Sequence, residues 1–298
     1  MRLPHVMLAV LVAAVWGFNF VVIKVGLRDF PPILFSGLRF LVAALPLVVL
    51  GWKGGPGVAW RYIIGIGVVL GVVKFSLLFI GMDIGMPAGL SSLVLQAQAF
   101  FTVLYAVLLL GETPTQRQML GMAVAFSGIG LIAIEMPAGN SLAGLGLVVA
   151  AAAAWGVSNI LMKLAKPTDM LRLILWVSVV PPLPLFALSL AVEGQERVMH
   201  ALINLTWLGI GALLYISVLS TLLAFAIWSF LLKTYAAGLV APFSLLVPVF
   251  GISSAGLVLG EPLSAAKLGG AALVLAGLIL TVTQGVRGQS PLTASGPR

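Results

Sequence analysis

Cysteine is absent from this 298-residue sequence, and histidine is nearly so, with His5 and His200 the only two. The first absence excludes disulfides, thiolate metal sites and cysteine nucleophiles. The second leaves no H-E-x-x-H zinc helix and no histidine-based triad within an apolar segment. Charge is scarce as well: Asp, Glu, Lys and Arg make up 8% of the residues, where a soluble domain carries roughly a quarter. No G-x-x-x-x-G-K-[ST] loop occurs, so the chain does not drive its own work with ATP. What remains is 61% hydrophobic, with a mean hydropathy of +1.19. A chain of this composition cannot solvate its own surface and reads as an integral membrane protein whose first partner is the lipid bilayer. The net charge of +8 is spread singly through short loops, which is a topology signal rather than a nucleic-acid footprint. The apolar run after Arg2 and His5 has no A-x-A-like cleavage site, and Lys24 comes too late and too polar for a signal peptide, so the run is expected to stay as a first span.

Helices rise about 1.5 Å per residue, so about 20 apolar residues cross a bilayer. On that basis the sequence predicts an all-α membrane protein of ten transmembrane helices. They fall at 5–26, 32–52, 60–82, 86–110, 117–135, 142–164, 170–192, 205–231, 237–259 and 265–285. The breaks are short and marked by Pro and Gly, as in Phe30-Pro31-Pro32, Glu112-Thr113-Pro114, Met136-Pro137-Ala138-Gly139-Asn140 and Gly260-Glu261-Pro262. The Gly-, Ser- and Pro-rich tail, 288–298, is predicted to be disordered. With the N-terminus inside, ten of the sixteen Lys and Arg fall in inside loops, four in outside loops, and Arg39 and Lys74 within spans. That bias predicts cytoplasmic N- and C-termini.

The chain repeats itself. Gly89, Leu90, Phe101, Gly111 and Glu112 return as Gly238, Leu239, Phe250, Gly260 and Glu261, each 149 positions on. Gly121 and Gly128 return at the same displacement as Gly270 and Gly277, and Trp16, Gly17 and Lys24 return 139 positions on as Trp155, Gly156 and Lys163. Two halves are therefore expected, 1–139 and 140–287, each with five spans. Five is odd, so the second half lies upside down relative to the first, the arrangement of many secondary transporters, whose substrate sits near the midplane between halves.

Several spans carry polar groups that hydrocarbon cannot satisfy. At about 100° per residue, Trp16, Asn19, Phe20 and Lys24 share one face of the first span, and Trp155, Asn159 and Lys163 share one face of the sixth. These faces either line a polar cavity or bond across a helix interface, and the two lysines fit snorkelling to the bilayer surfaces. Gln96 and Gln98 lie about 200° apart on an α-helix, so both reach one site only if the helix unwinds locally. Arg39 and Lys74 are the sharpest anomalies, because a cation within the bilayer costs several kcal/mol and needs a partner or a wet cavity. No carboxylate lies inside an opposing span, so they meet either a substrate carboxylate or loop carboxylates and helix-end carbonyls. Tyr215, Trp228 and Tyr235 add amphipathic rings, some of them belonging to the interfacial belt.

The segments VWGFNFVVIKVGL (15–27), GLRF (37–40), GMPAGLSSLVLQAQAFFT (85–102) and VAPFSLLVPVFG (240–251), with the two Gly-Glu loop ends, resemble the EamA branch of the drug/metabolite transporter superfamily. The resemblance extends over nearly all of 5–285 and is nearest to its bacterial exporters of O-acetylserine and cysteine. It implies a bacterial inner-membrane carrier of small metabolites or amino acids, with a central cavity lined by helices one, three, four, six, eight and nine. Carried to this sequence, that brings Phe79, Phe101 and Ser244 within reach of substrate beside Trp16, Asn19, Phe20, Lys74, Gln96, Trp155, Asn159 and Tyr215. Its substrates are zwitterions, which suits a neutral, amide-rich lining. Arg39, Gln98 and Trp228 complete the candidate substrate-binding set on the residue reading above. No catalytic residue, metal or cofactor is expected, and a monomer or weak homodimer is. Other readings remain: a carrier of nucleotide sugars or organic phosphates, which calls for clustered cations, a membrane enzyme, or a passive scaffold.

Overall fold

The computed structural model describes residues 1–50, 55–136, 140–262 and 264–282. The tail, 288–298, the break at Pro137-Ala138-Gly139 and the last residues of the tenth predicted span lie outside the described residues. Within them every regular element is a helix. In chain order these are α1 (Leu3–Gly26), α2 (Pro32–Leu50), α3 (Trp60–Asp83), α4 (Ala88–Leu110), α5 (Gln116–Ile134) and α6 (Asn140–Ala165). There follow α7 (Met170–Ser178), α8 (Pro182–Val192), α9 (Gln195–Ile203), α10 (Trp207–Thr234), α11 (Gly238–Leu259) and α12 (Ala265–Val282).

Among the described residues, seven helices are long and apolar enough to cross a membrane: α1, α3, α4, α5, α6, α10 and α11. The pair α7 and α8, bent by 41°, makes an eighth if the two count as one span. The bend falls at Pro181-Pro182, where two residues lack backbone donors and the ladder cannot continue. The ten long spans expected from sequence are thus seven or eight by length. The described apolar stretches of α2 and α12, Pro32–Leu47 and Ala265–Thr281, stand at expected places, and both helices run to the limit of the described residues. Helix α9, amphipathic and partly exposed, was not expected as an element; the chain between 193 and 204 reads as loop because its apolar residues are few.

Four helices depart from α geometry along their length, α11 at the 3₁₀ segment Ala241–Leu245 near its start. Gly67–Lys74 in α3 and Tyr215–Leu223 in α10 are π-helical, and Leu95–Ala97 in α4 is a 3₁₀ turn. Thr221 is held within its π segment by a 2.7 Å hydrogen bond to the Ile216 carbonyl, five residues back. Such widened turns are found mostly where a helix serves a site. The close approaches that pack the bundle occur at glycines. A Cβ on Gly17 would lie 2.5 Å from the Phe250 Cβ, and one on Gly156 would lie 2.8 Å from the Phe101 Cβ, so α1 meets α11 and α6 meets α4 at bare backbone. Helices α5 and α12 are joined in the same way, Gly128 against Gly270 and Gly121 against Gly277.

The bundle's two ends differ. At one, Phe30, Phe35, Phe79, Met82 and Met86 are sealed in a packed plug. Here the Glu193 carboxylate accepts from the backbone N–H of Ile33 (2.6 Å) and Leu34 (3.0 Å), capping α2. A carboxylate at a helix N-terminus is favourable because it answers otherwise unpaired N–H groups and the helix dipole. At the other end the contacts are ion pairs, Lys163 with Glu112 at 2.5 Å and Lys233 with Asp169 at 2.8 Å.

Candidate functional site

A cavity of about 350 Å³ lies between the helices, lined by α1, α2, α3, α4, α6, α7, α10 and α11. Helices α5 and α12 contribute nothing to it; their glycine faces are spent on each other. Beyond the six helices that the family resemblance implied, α2 supplies Arg39, itself a candidate, and Phe40, and α7 supplies Met170, Ile174, Val177 and Ser178.

Of the fourteen candidate residues, eleven line the cavity together: Trp16, Asn19, Phe20, Arg39, Lys74, Gln96, Gln98, Trp155, Asn159, Trp228 and Ser244. Phe79, Phe101 and Tyr215 are not among the lining residues. Phe79 is fully buried against Phe35 and Phe75, Phe101 packs on Tyr105 and Phe126, and Tyr215 donates its hydroxyl proton to the Val15 carbonyl at 3.0 Å. Lys24 and Lys163 also stand outside. Lys24 donates to the Met82 carbonyl and Lys163 to Glu112.

The amide question has a geometric answer. A 3₁₀ turn advances about 120° per residue rather than 100°, so Leu95–Ala97 brings Gln96 and Gln98 closer in azimuth and both reach the cavity. Asn159 then donates from Nδ2 to Gln98 Oε1 at 2.5 Å and to Thr102 Oγ1 at 2.9 Å, tying α6 to α4. Asn19 is different. Its Oδ1 is buried and has no hydrogen-bond partner among the described residues.

The cations define the electrostatics. Arg39 donates from Nε and Nη2 to the Thr221 hydroxyl at 3.3 and 3.0 Å, while its Nη1, also buried, has no partner among the described residues. Phe75 meets both charges: the Arg39 Cζ is 4.1 Å from its ring centroid and the Lys74 Nζ 3.4 Å, with Trp155 4.6 Å from the same Nζ. A cation over a ring gains about 0.5–2 kcal/mol, whereas an ion taken out of water loses several. Rings alone do not balance two neighbouring like charges. All eight Asp and Glu residues lie outside the lining. The sequence pointed to Arg39 and Lys74 but not to Phe75 or Thr221, which complete the cluster. The signal for Phe75 was adjacency to Lys74; for Thr221 there was none, because its role depends on a cross-helix contact 182 positions away.

One wall is aromatic. Trp16 donates its Nε1–H to the Ser220 carbonyl at 3.0 Å, and its ring meets Phe225 and Trp228 at centroid distances of 5.2 Å. The site therefore has a cationic corner, an amide edge and a ring-lined wall.

Comparison with known proteins fits this design. The sequence model of the EamA-like transporter family matches twice, over 3–134 and over 142–283. The chain belongs to the EamA-like transporter family. It is a transporter and not an enzyme. Among its EamA-like relatives is a Salmonella typhimurium protein named "Probable amino-acid metabolite efflux pump", 40% identical over 282 residues, covering 92% of this chain and 93% of the relative. An Escherichia coli protein of the same name is 38% identical over 281 residues, with the same shares. A "Probable terminal-alkyne amino-acid exporter" from Streptantibioticus cattleyicolor is 27% identical over 91% of each chain. A crystal structure matches this EamA-like fold with a TM-score of 0.62 at 17% identity, over 97% of this chain and 99% of its own.

Proposed function

We propose that this chain is a bacterial inner-membrane secondary transporter that exports amino acids or related metabolites, O-acetylserine and cysteine among them, by alternating access. The observation that carries this reading is a charge imbalance. Arg39 and Lys74 line the cavity, and none of the chain's carboxylates does. A cavity with two poorly solvated cations suits a cargo that brings its own carboxylate, which Arg39 Nη1 can meet with a charge-assisted hydrogen bond. Asn19 Oδ1 offers an acceptor for a cargo N–H, and the wall of Trp16, Phe225 and Trp228 suits its apolar part. The names of the relatives point the same way.

The architecture we infer is ten helices in two inverted halves, 1–139 and 140–287, with α7 and α8 forming one bent span. The paired family match supports it. So do the contacts: Gly17 on Phe250 and Gly156 on Phe101 are related by the displacements of 139 and 149, and so are the glycine contacts between α5 and α12. The Lys and Arg bias supports cytoplasmic termini, which puts the plug at the periplasmic end. We infer a monomer or weak homodimer, and a cavity of this size suits a small molecule rather than nucleic acid. With no carboxylate in the cavity to relay a proton, efflux is facilitated or by exchange.

Counterflow in proteoliposomes tests the reading. Amino acids and O-acetylserine on the far side are expected to speed uptake of labelled O-acetylserine, and sugar phosphates to leave it unchanged. Exchange with sugar phosphates alone would transfer the cation pair to phosphate carriage and overturn the amino-acid reading. Accumulation driven by an imposed pH gradient alone would overturn facilitated efflux.

A further inference from the structure

Glu112 and Glu261 sit just past the ends of α4 and α11 and are related by the 149-residue displacement. They hold different partners. The carboxylate of Glu261 lies across the first turn of α4, where it accepts from the backbone N–H of Ala88 at 2.6 Å and of Gly89 at 3.0 Å. A Cβ on Gly89 would stand 3.2 Å from Glu261 Oε2, so the missing side chain lets the carboxylate in. The positions related to Ala88 and Gly89 are Ala237 and Gly238, at the start of α11. Glu112 is bonded to Lys163 instead, in a pair whose side chains are about half exposed. Lys24, related to Lys163, is bonded to the Met82 carbonyl.

The two helix starts differ to match. Capped by Glu261, α4 begins as regular α-helix over Ala88–Val94. The chain entering α11 makes one short turn, Ala237–Val240, and then a 3₁₀ segment, Ala241–Leu245, before α geometry sets in at Leu246. A capped N-terminus is favoured in α form because its first N–H groups are answered. The glutamate cap also coincides with the sealed end of the bundle, beside the plug of Phe79, Met82 and Met86. At the opposite end the cavity lining extends to Met162 and Met170, next to the Lys163–Glu112 pair.

We propose that Glu112 and Glu261 are alternating latches of the transport cycle, a proposal that rests on the inverted-repeat reading above. In the state described, Glu261 on the α4 N-terminus holds the periplasmic end shut and Glu112 rests on Lys163. In the opposite state Glu112 leaves Lys163 and accepts from the N–H groups of Ala237 and Gly238, drawing α11 shut at the cytoplasmic end. Glu261 then leaves α4 and turns to Lys24. Each carboxylate has one occupied and one waiting partner, so the two caps answer opposite states and bias the equilibrium in opposite directions.

The absence of cysteine makes this measurable. Ser178→Cys places one thiol in the cavity, and a membrane-impermeant thiol reagent added from the periplasmic side reads how often that end opens. E261Q is expected to raise the periplasmic labelling rate several-fold, and E112Q to lower it several-fold while cytoplasmic labelling persists. Loss of a merely structural cap would change labelling from both sides alike. Rates that stay unchanged in E112Q, or that move the same way in both variants, overturn the latches. Should E261Q fail to insert, E112Q, at an exposed pair, decides the matter alone. Glu112→Cys and Glu261→Cys, labelled singly, separate the underlying reading. Labelling from one common side sinks the inverted repeat and the latches with it, while opposite sides with unmoved cavity access sink the latches only.

Discussion

At the scale of the residue, the two buried cations have to be accounted for. Arg39 has three nitrogens, and the Thr221 hydroxyl serves two of them. Lys74 has two ring faces, and a ring contact recovers less than burial costs. A hydrogen bond to a charged group contributes about 1.5–3 kcal/mol. Arg39→Met and Lys74→Met are therefore each expected to weaken competition by amino acids in a binding assay by on the order of tenfold to a hundredfold. Asn19→Ala and Gln96→Ala are expected to reduce efflux while membrane insertion, followed by yield in the membrane fraction, is kept. Normal efflux from both would remove these amides from the site. Thr221→Val leaves Arg39 with no hydroxyl to hold it and is expected to lower affinity for carboxylate-bearing cargo without changing insertion; unchanged affinity would mean that Arg39 is positioned by its rings alone.

At the scale of the element, the sequence was most informative where period and composition speak together. Long apolar runs marked the helices, and the Trp-bearing faces of α1 and α6 were legible from about 100° per residue. What could not be read was helix irregularity. Nothing in Leu95-Gln96-Ala97 announces a 3₁₀ turn, yet that turn decides that both glutamines reach the cavity. The π segments of α3 and α10 were equally silent, because a widened turn is stabilised by contacts from other helices, such as that of Arg39 with Thr221. The tie between α7 and α10 belongs to this scale. Partial burial pushes the Asp169 carboxyl up, but the Lys233 hydrogen bond, the backbone N–H groups of Arg172 and Leu171 and the Lys233 charge outweigh it and hold the group below its ordinary value. A depressed carboxylate stabilises above its unfolded pKa of about 3.9 and loses that contribution only as pH falls through the folded value. Transport is thus expected to show no titration of the Asp169 carboxyl between about pH 5 and pH 8. Asp169→Asn is expected to cost under about 1 kcal/mol of thermal stability, since Lys233 is exposed and Asp169 only partly buried.

At the scale of the whole molecule, the proposed repeat rests on two displacements in the sequence, 139 and 149, and glycines related by them meet partners related in the same way. The number of long spans was less legible. Hydropathy windows do not see the bend at Pro181-Pro182. The sequence placed Arg39 and Lys74 in spans and among the candidates, but did not show that both would meet one ring in a cavity with no carboxylate among its lining residues. Gly17 and Gly156 make related contacts between the halves, and Gly17→Ala and Gly156→Ala would each push a Cβ into a neighbouring helix. Overpacking of this kind typically costs about 1–3 kcal/mol. Both variants are expected to melt earlier in detergent, and to similar extents if the halves are equivalent. The most direct measurement compares a cargo with and without its carboxylate: cysteine and cysteamine competing in counterflow of labelled O-acetylserine. The cation pair requires that cysteine compete and cysteamine fail, with the difference collapsing in Lys74→Met; equal competition by cysteamine would contradict the claim that Arg39 and Lys74 hold a carboxylate.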